Sequence, residues 1–518
     1  MAEQDGTNSE TSTRGAQASL VESFTVSGLY GYRSVSLSSP YAATVLIARN
    51  GSGKTTLLGA LDAFLKGQFG RLRELEFSEI RCKLRGIDEE ITLCRDDIPA
   101  MLDSLPDSDI SHYAKKIGVE PTSLYSFLSE EYDVARNDYR YWHEEPVIAA
   151  AYKNSGWRAN ETIAVLDKLR DSMFSTNSKI PSILSTLRTA LKGVDILYLP
   201  TYRRVELPLM SDTKEGVYGR KRRPKFRFSG SASLFTGDIQ FGLGDIADRL
   251  SELNQEILVE SNNGYRQISA NIINELIDGT FDRETFDNTD MPTKADLEIF
   301  FSRIKEGRRV APFGDVAIPN IDKAFSGGDI PVETNKFLRY FLTKLGKIIK
   351  DIHNIEAPVE DFIKSCNKYL ASQDVSAVPP CKPSDVPQRS STDNKLLQLN
   401  RMNLQVYAVS LPSRRKIFLD SLSSGEKQMI SLFAKLFLYP KEKIVLIDEP
   451  ELSLSLDWQR QILVDVVNAP LCRQVIAITH SPFVFDNALE PFARSLKLSV
   501  DDAAQPPVSD DDEGNISE

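Results

Sequence analysis

Hydrophobic residues run along this chain in three rhythms. From Val21 to Ser39 (VESFTVSGLYGYRSVSLSS) they alternate with polar ones and are punctuated by Gly28 and Gly31, which predicts two short strands joined by a turn. Ala43 to Ala48 (ATVLIA) is continuous and rich in β-branched residues, the pattern of a strand buried on both faces. A glycine-containing loop follows, then a helical segment, TTLLGALDAFLKG. Two further strands are expected near Phe77 to Leu84 and Glu90 to Cys94. From Pro99 to Leu191 the spacing becomes helical, as at Ile163, Leu166, Leu169 and Phe174, before DILYLP (Asp195 to Pro200) returns to strand character.

Helical segments are expected at Ile246 to Val259 and Asn271 to Ile277, and a stripe through Phe337, Phe341, Leu345, Ile348, Ile349 and Ile352 predicts another helix. Ser372 to Asn394 is rich in Pro and Ser and reads as an exposed linker. Strands resume in LQVYAVSL and KIFLD, and helix and strand then alternate to about Pro482. No repeat of fixed period occurs. The pattern places strand-like segments toward both ends of the chain and mostly helix in the middle, and the length suggests about three domains of roughly 150 residues each.

Composition narrows the classes. The 518 residues carry 62 Lys+Arg against 73 Asp+Glu, a net charge of −11, which argues against coating nucleic acid by bulk charge. No apolar run approaches the roughly 18 residues a membrane span needs; the longest, Ile430 to Leu438, is broken by Lys435. The polar N-terminus has no signal-peptide pattern. Cys82, Cys94, Cys366, Cys381 and Cys472 are scattered without a C-x-x-C, so neither a disulfide framework nor a structural metal is expected, and a reducing cytoplasm is the expected compartment. Residues 1–19 read as a disordered polar tail and 496–518 as an acidic one. Basic character concentrates in Tyr202, Arg203 and Arg204 and in Arg220 to Arg227 (RKRRPKFR), six positive residues in eight; a DNA or acidic-partner contact and a solvated loop both fit it.

Four motifs carry chemistry. ARNGSGKTT follows the buried strand and opens a helix, the context of a phosphate loop; Ala48 replaces the usual first Gly. Asn50, Gly51, Ser52, Gly53, Lys54, Thr55 and Thr56 form the expected nucleotide-binding set. Small residues let the backbone N–H groups curl around a phosphate, Lys54 reaches phosphate oxygens, and the Thr55 hydroxyl completes a Mg²⁺ shell. KIVLIDEPE is an apolar strand ending in Asp448 and Glu449: the first can hold Mg²⁺ through water, and the second can act as general base. LSSGEKQ places Ser423 and Gly425 just before an apolar helix, where they can face an anion, cap the helix, or both. VIAITHSP is a strand ending at His480.

In this order the four motifs resemble the ABC-type ATPase head, particularly the soluble branch that contains RecF, SMC proteins and the OLD-family ATPases. The resemblance covers Leu20 to Cys94 and Lys395 to Phe485. It implies an α/β fold, a P-loop ATPase head with a mixed sheet and flanking helices, assembled from residues 20–98 and 395–495 around a mostly helical insertion, 99–394. It implies that Lys54, Glu449 and His480 are catalytic, His480 as the switch histidine, and that Ser423 and Gly425 contact the γ-phosphate of ATP bound by a second subunit. Two copies would then sandwich two ATP molecules, in a homodimer or higher even assembly. Glu451 to Gln459 match the loop at that interface, with Ser455 where many soluble relatives carry His; Gln68 is the candidate lid-loop ligand.

The insertion has no sustained heptads, so a compact helical lobe is expected rather than a coiled-coil arm. The stretch after His480 is too short for the nuclease domain of OLD-type enzymes, so no intrinsic nuclease is expected. LYLPTYRRVE resembles a stretch in ATPase subunits of bacterial anti-phage systems such as Septu and PARIS. The function this implies is a slow ATPase acting as sensor or scaffold for a separate nuclease or toxin. The alternatives are a RecF- or SMC-like repair ATPase that binds DNA directly and a slow nucleotide-dependent scaffold.

Overall fold

The computed structural model describes residues 11, 13–49, 51–98, 109–128, 132, 146–155, 159–175, 179–200, 243–278, 291–308, 321, 332–371, 395–410, 413–452 and 454–500. Tyr202, Arg203, Arg204, Arg220 to Arg227, the linker 372–394 and residues 501–518 lie outside the described residues. In chain order the strands are β1 Val21–Leu29, β2 Arg33–Ser38, β3 Ala43–Ile47, β4 Glu79–Leu84, β5 Ile91–Cys94, β6 Val194–Leu199, β7 Lys395–Asn400, β8 Gln405–Ser410, β9 Lys416–Ile417, β10 Glu442–Asp448, β11 Cys472–Thr479, β12 Ala493–Ser495 and β13 Lys497–Val500. Five helices matter below: α1 Lys54–Leu65, α2 Leu243–Ile277, α3 Val332–Ala371, α4 Ser424–Phe437 and α5 Leu456–Asn468. The chain forms two compact units, Met1–Ile239 with Lys441–Glu518, and Gln240–Pro440.

The first unit holds two sheets. One is antiparallel, in the order β13-β2-β1-β4-β5. The other is parallel, in the order β12-β3-β11-β10-β6. Its central strands are apolar on both faces, as continuous runs require: Ile444 to Ile447 and Val475 to Ile478 are all buried. Helix α1 is apolar nearly all round, so it needs cover on every side. One core cluster joins its Leu57, Leu58, Leu61 and Phe64 to Phe24 and Ile80 of the antiparallel sheet and to Leu446 and Ile478 of the parallel one. Each such fully buried side chain contributes about 2 kcal/mol.

The strand order has a direct consequence. Leu46 pairs with Ile478, which pairs with Asp448, so β3, β11 and β10 end side by side and pointing the same way. The glycine loop, His480 and the Asp448–Glu449 pair leave from those three adjacent ends, the usual place for a ligand on a parallel sheet.

Residues 13–19 differ from the expected disordered tail. Arg14 Nη1 donates to the carbonyl of Asn468 at 2.7 Å, at the end of α5, and Asn468 Nδ2 donates to Thr11 Oγ1 at 2.6 Å. Ala18 bridges to Tyr41. Helix-end carbonyls need donors, and Arg14 supplies one, a tie that polar composition alone does not reveal.

The second unit is mostly helical, and its two main helices are longer than the segments read from sequence. The stretches Ile246 to Val259 and Asn271 to Ile277 merge into one helix of 35 residues, about 52 Å long. Helix α3 runs 40 residues through Pro358. Gly264 sits mid-α2, where a helix break is tempting to read. Here it permits close approach: a Cβ there would lie 2.7 Å from Ile348 Cδ1 on α3. Beyond Pro358, burial of Val359, Phe362 and Cys366 holds α3 in place. The small antiparallel sheet β7-β8-β9 docks on α3 through Asn367, whose amide accepts from the N–H of Leu397 at 2.7 Å and donates to its carbonyl at 3.0 Å. No helix among the described residues is long and apolar enough to cross a membrane.

Candidate functional site

The loop after β3 is shaped by its glycines. Gly51 and Gly53 adopt φ of 78° and 85°, the left-handed region where a side chain is strained. Gly53 is the N-cap of α1 and offers no side-chain acceptor, so the amide groups of the first turn keep their partial positive charge for an external anion. Ser52 turns inward locally, its hydroxyl donating to the carbonyl of Arg49 at 2.7 Å. Asn50 lies outside the described residues.

Lys54, the first residue of α1, meets two other strand ends. Its Nζ lies 2.9 Å from Glu449 Oε1 and 3.1 Å from His480 Nδ1. An ammonium only donates, so Nδ1 is the acceptor in this contact and the ring proton is assigned to Nε2. His480 Nδ1 is also 3.5 Å from Glu449 Oε1. Lys54 is thus held between the two groups that the sequence nominates for chemistry.

Glu449 leaves β10 with φ 53°, left-handed for a non-glycine residue, and its N–H donates to Ile478 O at 2.8 Å. Such a conformation costs about 1–2 kcal/mol and persists where the surroundings fix it, often at functional sites. Beside it, Thr55 Oγ1 donates to Asp448 Oδ2 at 2.5 Å, with Asp448 wholly buried. Two hard oxygen donors held together match the chemistry Mg²⁺ prefers.

Sequence reasoning missed four nearby residues. Arg33, the first residue of β2, donates from Nη1 to the carbonyl of Gly51 at 3.0 Å. Its guanidinium lies 4.9 Å from the centre of the Tyr30 ring and 5.6 Å from that of Tyr32, both rings being partly exposed. The Tyr30 hydroxyl is 3.4 Å from Thr56 Oγ1. Glu451, read only as part of a loop, contacts His480 directly. The signals were present in two aromatics and an arginine at a glycine-bounded turn, and in a third acid just past the strand. Gln68, the lid candidate, gives its Oε1 to Arg71 Nη1 at 2.5 Å, in a cluster that also pairs Arg71 with buried Asp62 at 2.8 Å.

Ser423 and Gly425 belong to the second unit. Ser423 caps α4 in a full capping box: its Oγ accepts from Glu426 N at 3.3 Å, and Glu426 Oε2 accepts from Ser423 N at 2.7 Å. Lys395 holds Glu426 at 3.1 Å. Because Ser423 Oγ accepts in the box, its own O–H can still donate outward, so capping and anion contact are compatible. Ser455 is the N-cap of α5 without a side-chain cap bond.

Residues 329–486 match the model of a family described as AAA domain, putative AbiEii toxin, Type IV TA system. No protein with a curated description matches the chain. Among solved structures, the chain is similar to the Smc head domain with a coiled coil and joint derived from Pyrococcus yayanosii, at 14% identity, covering 93% of this chain and 97% of that one, with a TM-score of 0.29. The strand order, not that likeness, defines the fold described above.

Proposed function

We propose that the chain is an ABC-type ATPase that binds ATP with Mg²⁺ and hydrolyses it slowly. One observation carries this reading: Lys54, Thr55, Asp448, Glu449 and His480 converge at the ends of three adjacent parallel strands. The amides of the glycine loop and Lys54 would hold the phosphates, while Thr55 and Asp448 would hold Mg²⁺, which draws charge from the phosphate oxygens when bound. Glu449 would take the proton of the attacking water, and His480 would steady the arrangement from the opposite side. Glu449→Gln should lower phosphate release by about 10²–10⁴-fold while ATP stays bound. Near-normal turnover in that variant would move the base elsewhere.

In this reading two heads pair across two ATP molecules, each offering Ser423 and Gly425 to the other, and the assembly serves as sensor or scaffold of a bacterial defence complex with a separate nuclease or toxin. The matched family's description names a putative toxin of a type IV TA system, which fits a toxin-linked role. A direct DNA-repair role is favoured by the basic run Arg220 to Arg227. Tight, ATP-dependent binding of DNA by the purified chain alone would select it over the effector-controlling role; co-purification of a nuclease or toxin encoded beside it would select the latter.

A further inference from the structure

Glu451 lies in the loop that runs from β10 to α5, a loop read from sequence only as part of an expected subunit interface. Its side chain is only 7% exposed, and both carboxylate oxygens are engaged. Oε2 accepts from Thr479 Oγ1 at 2.8 Å, and Oε1 accepts from the main-chain N–H of His480 at 3.2 Å and lies 3.7 Å from His480 Nδ1. A buried carboxylate is tolerated when donors are aimed at it, and hydrogen bonds to a charged acceptor are among the stronger ones. These two donors belong to the residues at which β11 ends.

A second tie joins the same two segments. Gln459, in the first turns of α5, donates from Nε2 to the carbonyls of Glu451 at 3.3 Å and Leu454 at 3.1 Å, and its Oε1 accepts from Ser481 Oγ at 3.0 Å. The loop after β10 and the segment after β11 are therefore fastened at two points, on either side of His480. The imidazole itself is 45% exposed.

We propose that Glu451 is the positioning residue that holds His480 against Lys54 and Glu449, so that the place of the imidazole follows the loop leaving β10. The consequence for turnover rests on the ATPase reading; the clamp itself does not. The experiment uses the full chain as wild type, Glu451→Gln, Thr479→Val, His480→Ala and the Glu451→Gln/His480→Ala double variant. Hydrogen exchange at the Thr479–Ser481 backbone should rise about tenfold in Glu451→Gln, which keeps shape but loses the charge. At the His480 N–H it should rise more weakly in Thr479→Val, which removes one limb of the clamp and leaves the carboxylate; the Ser481 N–H is left out of that comparison because it donates to Thr479 Oγ1 at 3.0 Å. Unchanged exchange in both variants overturns the proposal.

With MgATP, Glu451→Gln should lower kcat about tenfold and leave KM within about twofold, and it should add nothing once His480 is Ala. Losses that multiply in the double variant would show that Glu451 acts independently of His480 and would also overturn the proposal. Should wild type turn over ATP no faster than Glu449→Gln, the ATPase reading fails, and the exchange data still decide the clamp.

Discussion

Two strand ends in the site turn the chain through left-handed backbone, and they use opposite residues to do so. After β3 the turn is made by Gly51 and Gly53, which adopt positive φ without strain. After β10 it is made by Glu449 at φ 53°, where glycine would be easier. Space does not explain the difference, since a Cβ on Gly53 would meet nothing closer than Leu29 Cδ2 at 3.6 Å, and one on Gly51 nothing within 4 Å. On the proposed reading the backbone amides are the functional groups at the first end, where a side chain only adds strain. At the second the proposed functional group is the side chain, and the strained residue keeps its carboxylate beside Lys54.

Substitutions at the two ends can break that contrast. The largest effect should come from Lys54→Ala, which removes the charge linking them: ATP binding by calorimetry should weaken on the order of 100-fold or more. Unchanged affinity would remove the phosphate-loop assignment. A smaller effect is expected for Gly53→Ala, which should cost about 1–2 kcal/mol in urea unfolding although the methyl has room. A neutral result would mean that φ, too, is not what requires glycine there. The smallest and most specific test compares Glu449→Gly with Glu449→Ala. Both lose the carboxylate, yet the glycine variant should be the more stable by about 1 kcal/mol, reversing the usual order. If alanine is the better of the two, Glu449 is not strained.

What the sequence made legible was local. Ala48 to Thr56, Asp448, Glu449 and His480 each follow an apolar strand in a continuous segment, and strand-end chemistry can be read from such segments without knowing what they pack against. What stayed hidden depends on distant pairing. Arg33 reaches Gly51, and Glu451 reaches Thr479 and His480, only because a strand start and a loop far off in sequence are delivered there by strand order. Helix α2 was read as two pieces, and the close approach at Gly264 to Ile348 of α3 lies beyond the reach of any periodicity. Arg14 escaped for the same reason: its partner carbonyl belongs to Asn468.

The strand order also sets a timetable for synthesis. β1, β2, β4 and β5 can pair as soon as Cys94 emerges, whereas β3, sandwiched between β11 and β12, has neither neighbour until the chain reaches Cys472. At about 5–20 residues per second, that leaves its apolar edges uncovered for roughly 20–85 s. In that interval the whole of Gln240–Pro440 is made, ending just before β10 begins. A ribosome stalled anywhere before Thr479 therefore carries a glycine loop and Lys54 with neither Glu449 nor His480 in place, an exposed strand for chaperones to shield. The part of the molecule that begins first in sequence is the last to exist as a site.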